Sequence, residues 1–279
     1  MLKEKVNVAR ARPTGLPDFA DPPLNEVVLG VQFSTPKGYQ QIYAGNVWEL
    51  FKNEYPVIQE HPPLVPTFET FGLPHPHFAI PPFTLSQGTP HNRYWFLRPE
   101  GEELIQFQSD KFLHNWRKNP VGKMEYPRYE TIIERFQDEL SKIDGYMANQ
   151  FGSPLAINQC EITYINHVVA GVEAQKPLSE WLNIIGQDGF NPDDVSLSFR
   201  ETLRSPEGSP LARIYVEINT AYFPSSEKFY AMNITVRGAP SANTVASAIE
   251  FMDFGRVAIV DKFTELTTSQ AHTFWKRQS

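Results

Sequence analysis

The pattern between Arg93 and Gly145 restricts this chain more than any other feature of it. Residues 93–99 (RYWFLRP), 103–110 (ELIQFQSD) and 111–118 (KFLHNWRK) read as three successive antiparallel strands, rich in aromatic and β-branched or long apolar residues. PEGE and Ser109-Asp110 separate them with turn chemistry. At Pro127 the period changes. Tyr129, Ile132, Ile133, Phe136, Leu140 and Ile143 follow at offsets 3, 4, 7, 11 and 14, the apolar stripe of one helix face. Pro127 suits a first helical turn and Gly145 an end. Upstream, NEVVLGVQF (25–33) reads as a strand, and 40–54 reads as a helix with Val47, Leu50 and Phe51 inward.

The second half repeats this order. AINQCEITYINHVV (156–169) is a strand and LSEWLNIIG (178–186) a helix with Leu178, Trp181, Leu182 and Ile185 inward. Three alternating segments follow at 194–203, 211–222 and 228–236, and Ser241 is placed to cap a long closing helix. LRPEGEELIQFQ (97–108) echoes LRSPEGSPLARIYV (203–216) at the same place in both halves. The expected fold is therefore α+β, a duplicated β-α-β-β-β-α unit. Its two copies form one antiparallel sheet of eight strands with helices packed on one face. Residues 1–23 form an extended N-terminal arm, 24–150 the first half and 151–279 the second, with its long C-terminal helix.

Into the first half is set a stretch, 56–92, with nine prolines, four phenylalanines (Phe68, Phe71, Phe78, Phe83) and four of the seven histidines. Proline at this density excludes a central strand or helix. The phenylalanines imply an arm that docks onto another surface. His75-Pro76-His77, flanked by His61 and His91, has metal-ligand residue types. No Cys, Asp or Glu completes it at a recognised spacing, so neither a metal site nor a cofactor is expected.

Composition restricts function more than fold. A net charge of −7 argues against a general nucleic-acid binder, which needs a basic face. Cys160 is the only cysteine, which excludes an intrachain disulfide and favours a reducing, cytoplasmic setting. Its alternating surroundings make it a buried thiol. MLKEKVNVARARPTG has no apolar core of a signal peptide, and no apolar run reaches membrane-spanning length. There is no P-loop, G-x-G-x-x-G, G-x-S-x-G, H-E-x-x-H or C-x-x-C.

Against that acidic background, residues 111–128 hold Lys111, Arg117, Lys118, Lys123 and Arg128, interleaved with Phe112, Trp116 and Tyr126. On the strand, Phe112, His114 and Trp116 share one face and Leu113, Asn115 and Arg117 the other. The chain then turns into the helix, whose N-terminus attracts anions. Lys111, Asn115, Trp116, Arg117, Tyr126, Arg128 and Tyr129 are the candidate ligand-binding residues. A second reading stays open, in which Arg117 and Arg128 pair with Glu125 and Glu130 while Trp116 and Tyr129 fill the core. The closing helix carries Val245, Ile249, Met252, Arg256, Ile259 and Phe263 at heptad spacing, which reads either as a helix lying on its own sheet with Arg256 near an edge or as a candidate seam for a homodimer.

PLNEVVLGVQF, IQFQSDKFLHNWRK, YPRYETIIERF and LTTSQAHTFWKR together resemble a sporadically distributed family of uncharacterised prokaryotic proteins of about this length. The resemblance spans most of the chain and implies no activity. Sporadic distribution implies horizontal transfer, common among defence and toxin–antitoxin genes. The expected function is that of a non-enzymatic binding protein, a homodimer recognising a protein partner or a small anionic ligand. The alternatives are an enzyme acting on a nucleotide or phosphorylated metabolite, with His114 or Glu130 as base, and a nucleic-acid-binding sheet.

Overall fold

The computed structural model describes residues 10–72, 91–119, 125–170, 176–185 and 192–279. Nine strands form one antiparallel sheet: β1 (Leu24–Phe33), β2 (Val57–His61), β3 (Arg93–Leu97), β4 (Glu103–Gln108), β5 (Lys111–Arg117), β6 (Ile157–Ala170), β7 (Ser196–Arg204), β8 (Pro210–Tyr222) and β9 (Lys228–Gly238). Their order across the sheet is β2-β3-β4-β5-β1-β6-β9-β8-β7. The helices are α1 (Tyr43–Glu49), α2 (Tyr129–Phe151), α3 (Val245–Leu266) and α4 (Ser269–Phe274). The ninth strand, β2, was not expected. It lies at the start of the Pro-rich stretch between Pro56 and Pro62 and takes the edge, where proline costs no ladder bond.

Alternation sorts each strand between two faces. On the helix side β1 places Val27, Leu29, Val31 and Phe33, β5 places Phe112 and Trp116, and β6 places Cys160 and Ile162, all buried. The stripe of α2 (Tyr129, Ile132, Ile133, Phe136, Leu140, Ile143) packs into the same core. Burial also pushes the Cys160 thiol up, which keeps it neutral and unreactive.

Three helix expectations are corrected. Pro127 lies just outside α2, whose N-cap is Arg128, and Gly145 is interior. The helix runs six residues further, to Phe151, because Met147 continues the buried stripe, and Gly152 closes it in the left-handed conformation (φ 77°). The helix expected at 178–186 is only a 3-10 turn, Leu178–Glu180, although Leu178, Trp181 and Leu182 are buried as expected. Bonds from Asn183 N–H to the Leu266 carbonyl (2.8 Å) and Thr268 N–H to the Trp181 carbonyl (3.0 Å) hold this segment to the α3–α4 junction instead. Finally, α3 is capped by Thr244, whose Oγ1 accepts from Ser247 N–H at 3.2 Å, and not by Ser241.

The heptad-spaced residues of α3 face its own sheet. Ile249, Met252, Arg256, Ile259 and Phe263 are buried within the chain, and Val245 is partly buried against the core. They leave no free seam for a second copy. The helix approaches the sheet most closely at Gly255, where an added Cβ would lie 2.4 Å from Ile162 Cγ2 on β6 and 3.5 Å from Val236 on β9. Gly255→Ala must therefore push α3 off the sheet, and denaturant melts should show a loss of about 1–3 kcal/mol. Gly45→Ala in α1 meets open space, and should leave stability unchanged or raise it by up to about 1 kcal/mol.

Candidate functional site

The start of α2 lies in a corner built from three distant parts of the chain. The N-terminal segment 10–23 runs beside the C-terminus, with Ala20 N–H donating to the Lys276 carbonyl (3.0 Å) and Gln278 N–H to the Asp18 carbonyl (2.8 Å). Phe19 anchors it edge-on against Phe263 (5.6 Å between ring centres) and Trp275 (6.4 Å). The arm is thus a docked segment, and it carries Arg12 and Asp18 to the foot of α2.

Arg128 Nη1 donates to Asp18 Oδ1 (3.1 Å) and to the Phe19 carbonyl (3.2 Å). Arg12 Nη1 reaches the same carboxylate at 3.5 Å. Arg256, on α3, pairs with Glu130 at 2.7 Å and lies over the Tyr129 ring at 4.6 Å. Tyr129 donates its hydroxyl to Asp253 Oδ1 at 2.9 Å. Trp116 packs on Tyr126 with ring centres 5.1 Å apart. Of the second reading, Trp116 and Tyr129 do fill the core, but the arginines pair otherwise: Arg128 takes Asp18, Glu130 belongs to Arg256, and Arg117 Nε donates to the Gly101 carbonyl (2.7 Å).

Two adjoining hollows share Pro22, Leu24, Tyr126 and Arg128. The inner recess holds about 60 Å³ and is lined by Arg12, Arg128 and Arg256 with Tyr126 and Tyr164. The outer cleft holds about 490 Å³ and adds Trp116, Lys118 and Lys276. Five cationic side chains and three carboxylates (Asp18, Asp21, Glu125) line the two together, a local cationic excess in an acidic protein. Burial pushes Tyr126 up to about 12 and Tyr164 well above the usual phenol range, so both hydroxyls are neutral donors. The buried Tyr164 hydroxyl is aimed at the Tyr126 hydroxyl, with which it interacts, and it makes no other hydrogen bond among the described residues.

Arg128 has φ 71° and ψ 153°, a region occupied almost only by glycine. Its guanidinium is delivered to the recess at the expense of backbone strain.

The structure divides the seven residues expected to bind. Trp116, Tyr126, Arg128 and Tyr129 meet in this corner. Lys111 is at the other end of β5, on the opposite face of the sheet. Asn115 belongs to a polar row on that face, accepting from Gln106 Nε2 (2.8 Å) and donating to Glu26 Oε1 (2.6 Å). Arg117 ends the strand. Arg12, Asp18 and Tyr164 were missed by sequence reasoning; Arg256 was noticed, as the lone charge in an apolar seam. Of the metal-type histidines, His75 and His77 lie outside the described residues, as do Phe78, Phe83 and Lys123. His61 stacks on Trp95 (4.1 Å) and His91 lies against Tyr39 (5.5 Å).

His114 is fully buried on the helix side, its Nδ1 2.8 Å from Glu139 Oε2, and Glu139 Oε1 accepts from the Tyr55 hydroxyl at 2.5 Å. No helix among the described residues is long and apolar enough to cross a membrane. Comparison with protein-family models, curated proteins and solved structures yields no match.

Replacing Arg128 by glycine removes the backbone strain as well as the side chain, whereas alanine removes only the side chain. Arg128→Gly should therefore be more stable than Arg128→Ala by about 1–3 kcal/mol, read from urea midpoints.

Proposed function

We propose that this protein is a non-enzymatic binding protein that holds a small anionic ligand in the cleft at the foot of α2. One observation carries the reading: three guanidiniums converge on a recess that is also lined by the neutral hydroxyls of Tyr126 and Tyr164. Arginine forks and neutral phenol donors suit a phosphate or carboxylate. The strained backbone at Arg128 supports a functional position for its side chain. The non-enzymatic part rests on the burial of His114 and on the pairing of Glu130 with Arg256, which removes both bases considered for a reaction. A cytoplasmic setting is part of the proposal and is supported by the single buried cysteine. The family resemblance, with its defence or toxin–antitoxin associations, remains a proposal as well.

We also propose that the halves arose by duplication of one β-α-β-β-β-α unit. From the centre outward the strands run β1-β5-β4-β3 on one side and β6-β9-β8-β7 on the other. The echo at 97–108 and 203–216 falls at β3–β4 and β7–β8, equivalent places in that order.

A protein or self-partner is a second reading, with its interface moved from α3 to the sheet edge. Among the described residues strand β2 pairs only with β3, and Val57 and Ile58 on it are exposed, an edge that could take another strand. Light scattering should then report a dimer for the natural chain and a monomer for Ile58→Lys.

The test of the anion site is a thermal-shift screen of phosphorylated and carboxylated metabolites. A ligand at 100 times its Kd stabilises by about 2.7 kcal/mol, several degrees in melting temperature. Arg128→Gln should fold and lose the response. If no anion stabilises the protein, or if Arg128→Gln responds like the natural chain, the reading fails; turnover of any hit would replace it with an enzyme.

A further inference from the structure

The face of the sheet opposite the helices is crossed by residues 62–72, the described part of the Pro-rich stretch beyond β2. Side-chain amides of the sheet hold its backbone. Leu64 N–H donates to Gln108 Oε1 (2.8 Å), and Gln108 Nε2 donates back to the Leu64 carbonyl (2.9 Å). Thr67 N–H donates to Gln32 Oε1 (3.0 Å) and Glu69 N–H to Gln159 Oε1 (3.3 Å). At the far end Arg213 binds Glu69 Oε2 (3.0 Å) and the Thr70 carbonyl (3.0 Å). The segment is a strap running from β4 to β8.

Between strap and sheet lies a cavity of about 210 Å³. Gly30 on β1 forms part of its floor, where a Cβ would come within 3.1 Å of Leu113 Cγ. The polar groups at this cavity are unbalanced in one direction. Glu161 is paired with Arg237, and Glu69, at the strap, with Arg213. Lys111 is nine-tenths buried, and its Nζ meets only the neutral Gln32 Oε1, at 2.6 Å. Asp110 and Glu161 act on it at longer range, and burial still lowers it from the usual lysine range. Gln159 is 5% exposed and its Nε2 has no partner among the described residues. One buried donor group, Gln159 Nε2, therefore lacks an acceptor among the described residues, and the Lys111 ammonium, with one neutral acceptor, lacks a close counter-ion.

We infer that this cavity is a second ligand site, distinct from the α2 cleft, that takes a small oxyanion between Lys111 Nζ and Gln159 Nε2 beneath the strap. A carboxylate or phosphate supplies the missing acceptor and charge together. The volume is below the ~300–1,000 Å³ of sites for drug-sized molecules, so the ligand is a small one.

The full-length chain can be titrated with inorganic phosphate and with succinate, following melting temperature and the side-chain amide NMR resonances of Gln159. The expected result is stabilisation by at least one probe, with the Gln159 resonances moving during that titration. Phosphate alone assigns a phosphoryl ligand and succinate alone a carboxylate. Lys111→Met should weaken binding roughly 10- to 100-fold, the effect of losing a charged hydrogen bond. Its own melting temperature should not fall, because a buried ammonium without a carboxylate partner is removed. Arg128→Gln, in the other cleft, should leave the movement of the Gln159 resonances as in the natural chain whatever its melting temperature does, which separates this site from the proposed function. An unchanged response in Lys111→Met, Gln159 resonances that stay fixed, or no stabilisation by either probe would overturn the inference.

Discussion

The pairing of β1 with β6 holds the two halves of the chain in one sheet. Nine register pairs, from Leu24 with Asn166 to Phe33 with Ile157, join strands that begin the two halves. Each is flanked on its other side by a strand of its own half, β5 or β9. Because both central strands are fully paired, their backbone groups are satisfied and their side chains need only divide between faces. Val27, Leu29 and Val31 lie opposite Tyr164, Ile162 and Cys160, so the apolar surface is continuous across the join. Helices α2, from the first half, and α3, from the second, pack against each other and against that surface.

The helix face is not wholly apolar. Glu103 is fully buried between Arg98 (2.7 Å) and Arg135, and Glu139 lies between His114 and Tyr55. Groups of this kind contribute little net stability when intact, but removing one partner costs about 3–5 kcal/mol. Their effect is to fix which arrangement of α2 over β4 and β5 is allowed. On the opposite face, Gln106, Asn115 and Glu26 form a hydrogen-bonded row, and acidic and basic residues alternate further along.

Two polypeptide segments without regular structure create both candidate sites. The N-terminal segment brings Arg12 and Asp18 beside Arg128 and Arg256; the Pro-rich strap encloses the cavity at Lys111. Each is fixed through backbone hydrogen bonds to the sheet or to the C-terminus, so its proline content costs no strand or helix bonds. Loops positioned by a rigid scaffold are the usual carriers of binding chemistry.

Local periodicity was sufficient to identify eight of the nine strands and the two long helices, because alternation and the 3.6-residue stripe arise from one face being buried. It was not sufficient for Leu178–Glu180, where the inward pattern was read correctly and the helix was not, since contacts with the α3–α4 junction replace helical bonds. For α3, heptad spacing left two covers open, its own sheet or a second copy, and the packing of Gly255 against Ile162 selects the chain's own sheet. The sequence by itself also placed Trp116, Tyr126, Arg128 and Tyr129 close together, being near in the chain. It grouped Lys111 with them for that reason alone. Tertiary structure sent Lys111 to the other face and brought Arg12, Tyr164 and Arg256 in its place, since charge partners separated by more than a hundred residues leave no local periodic signal.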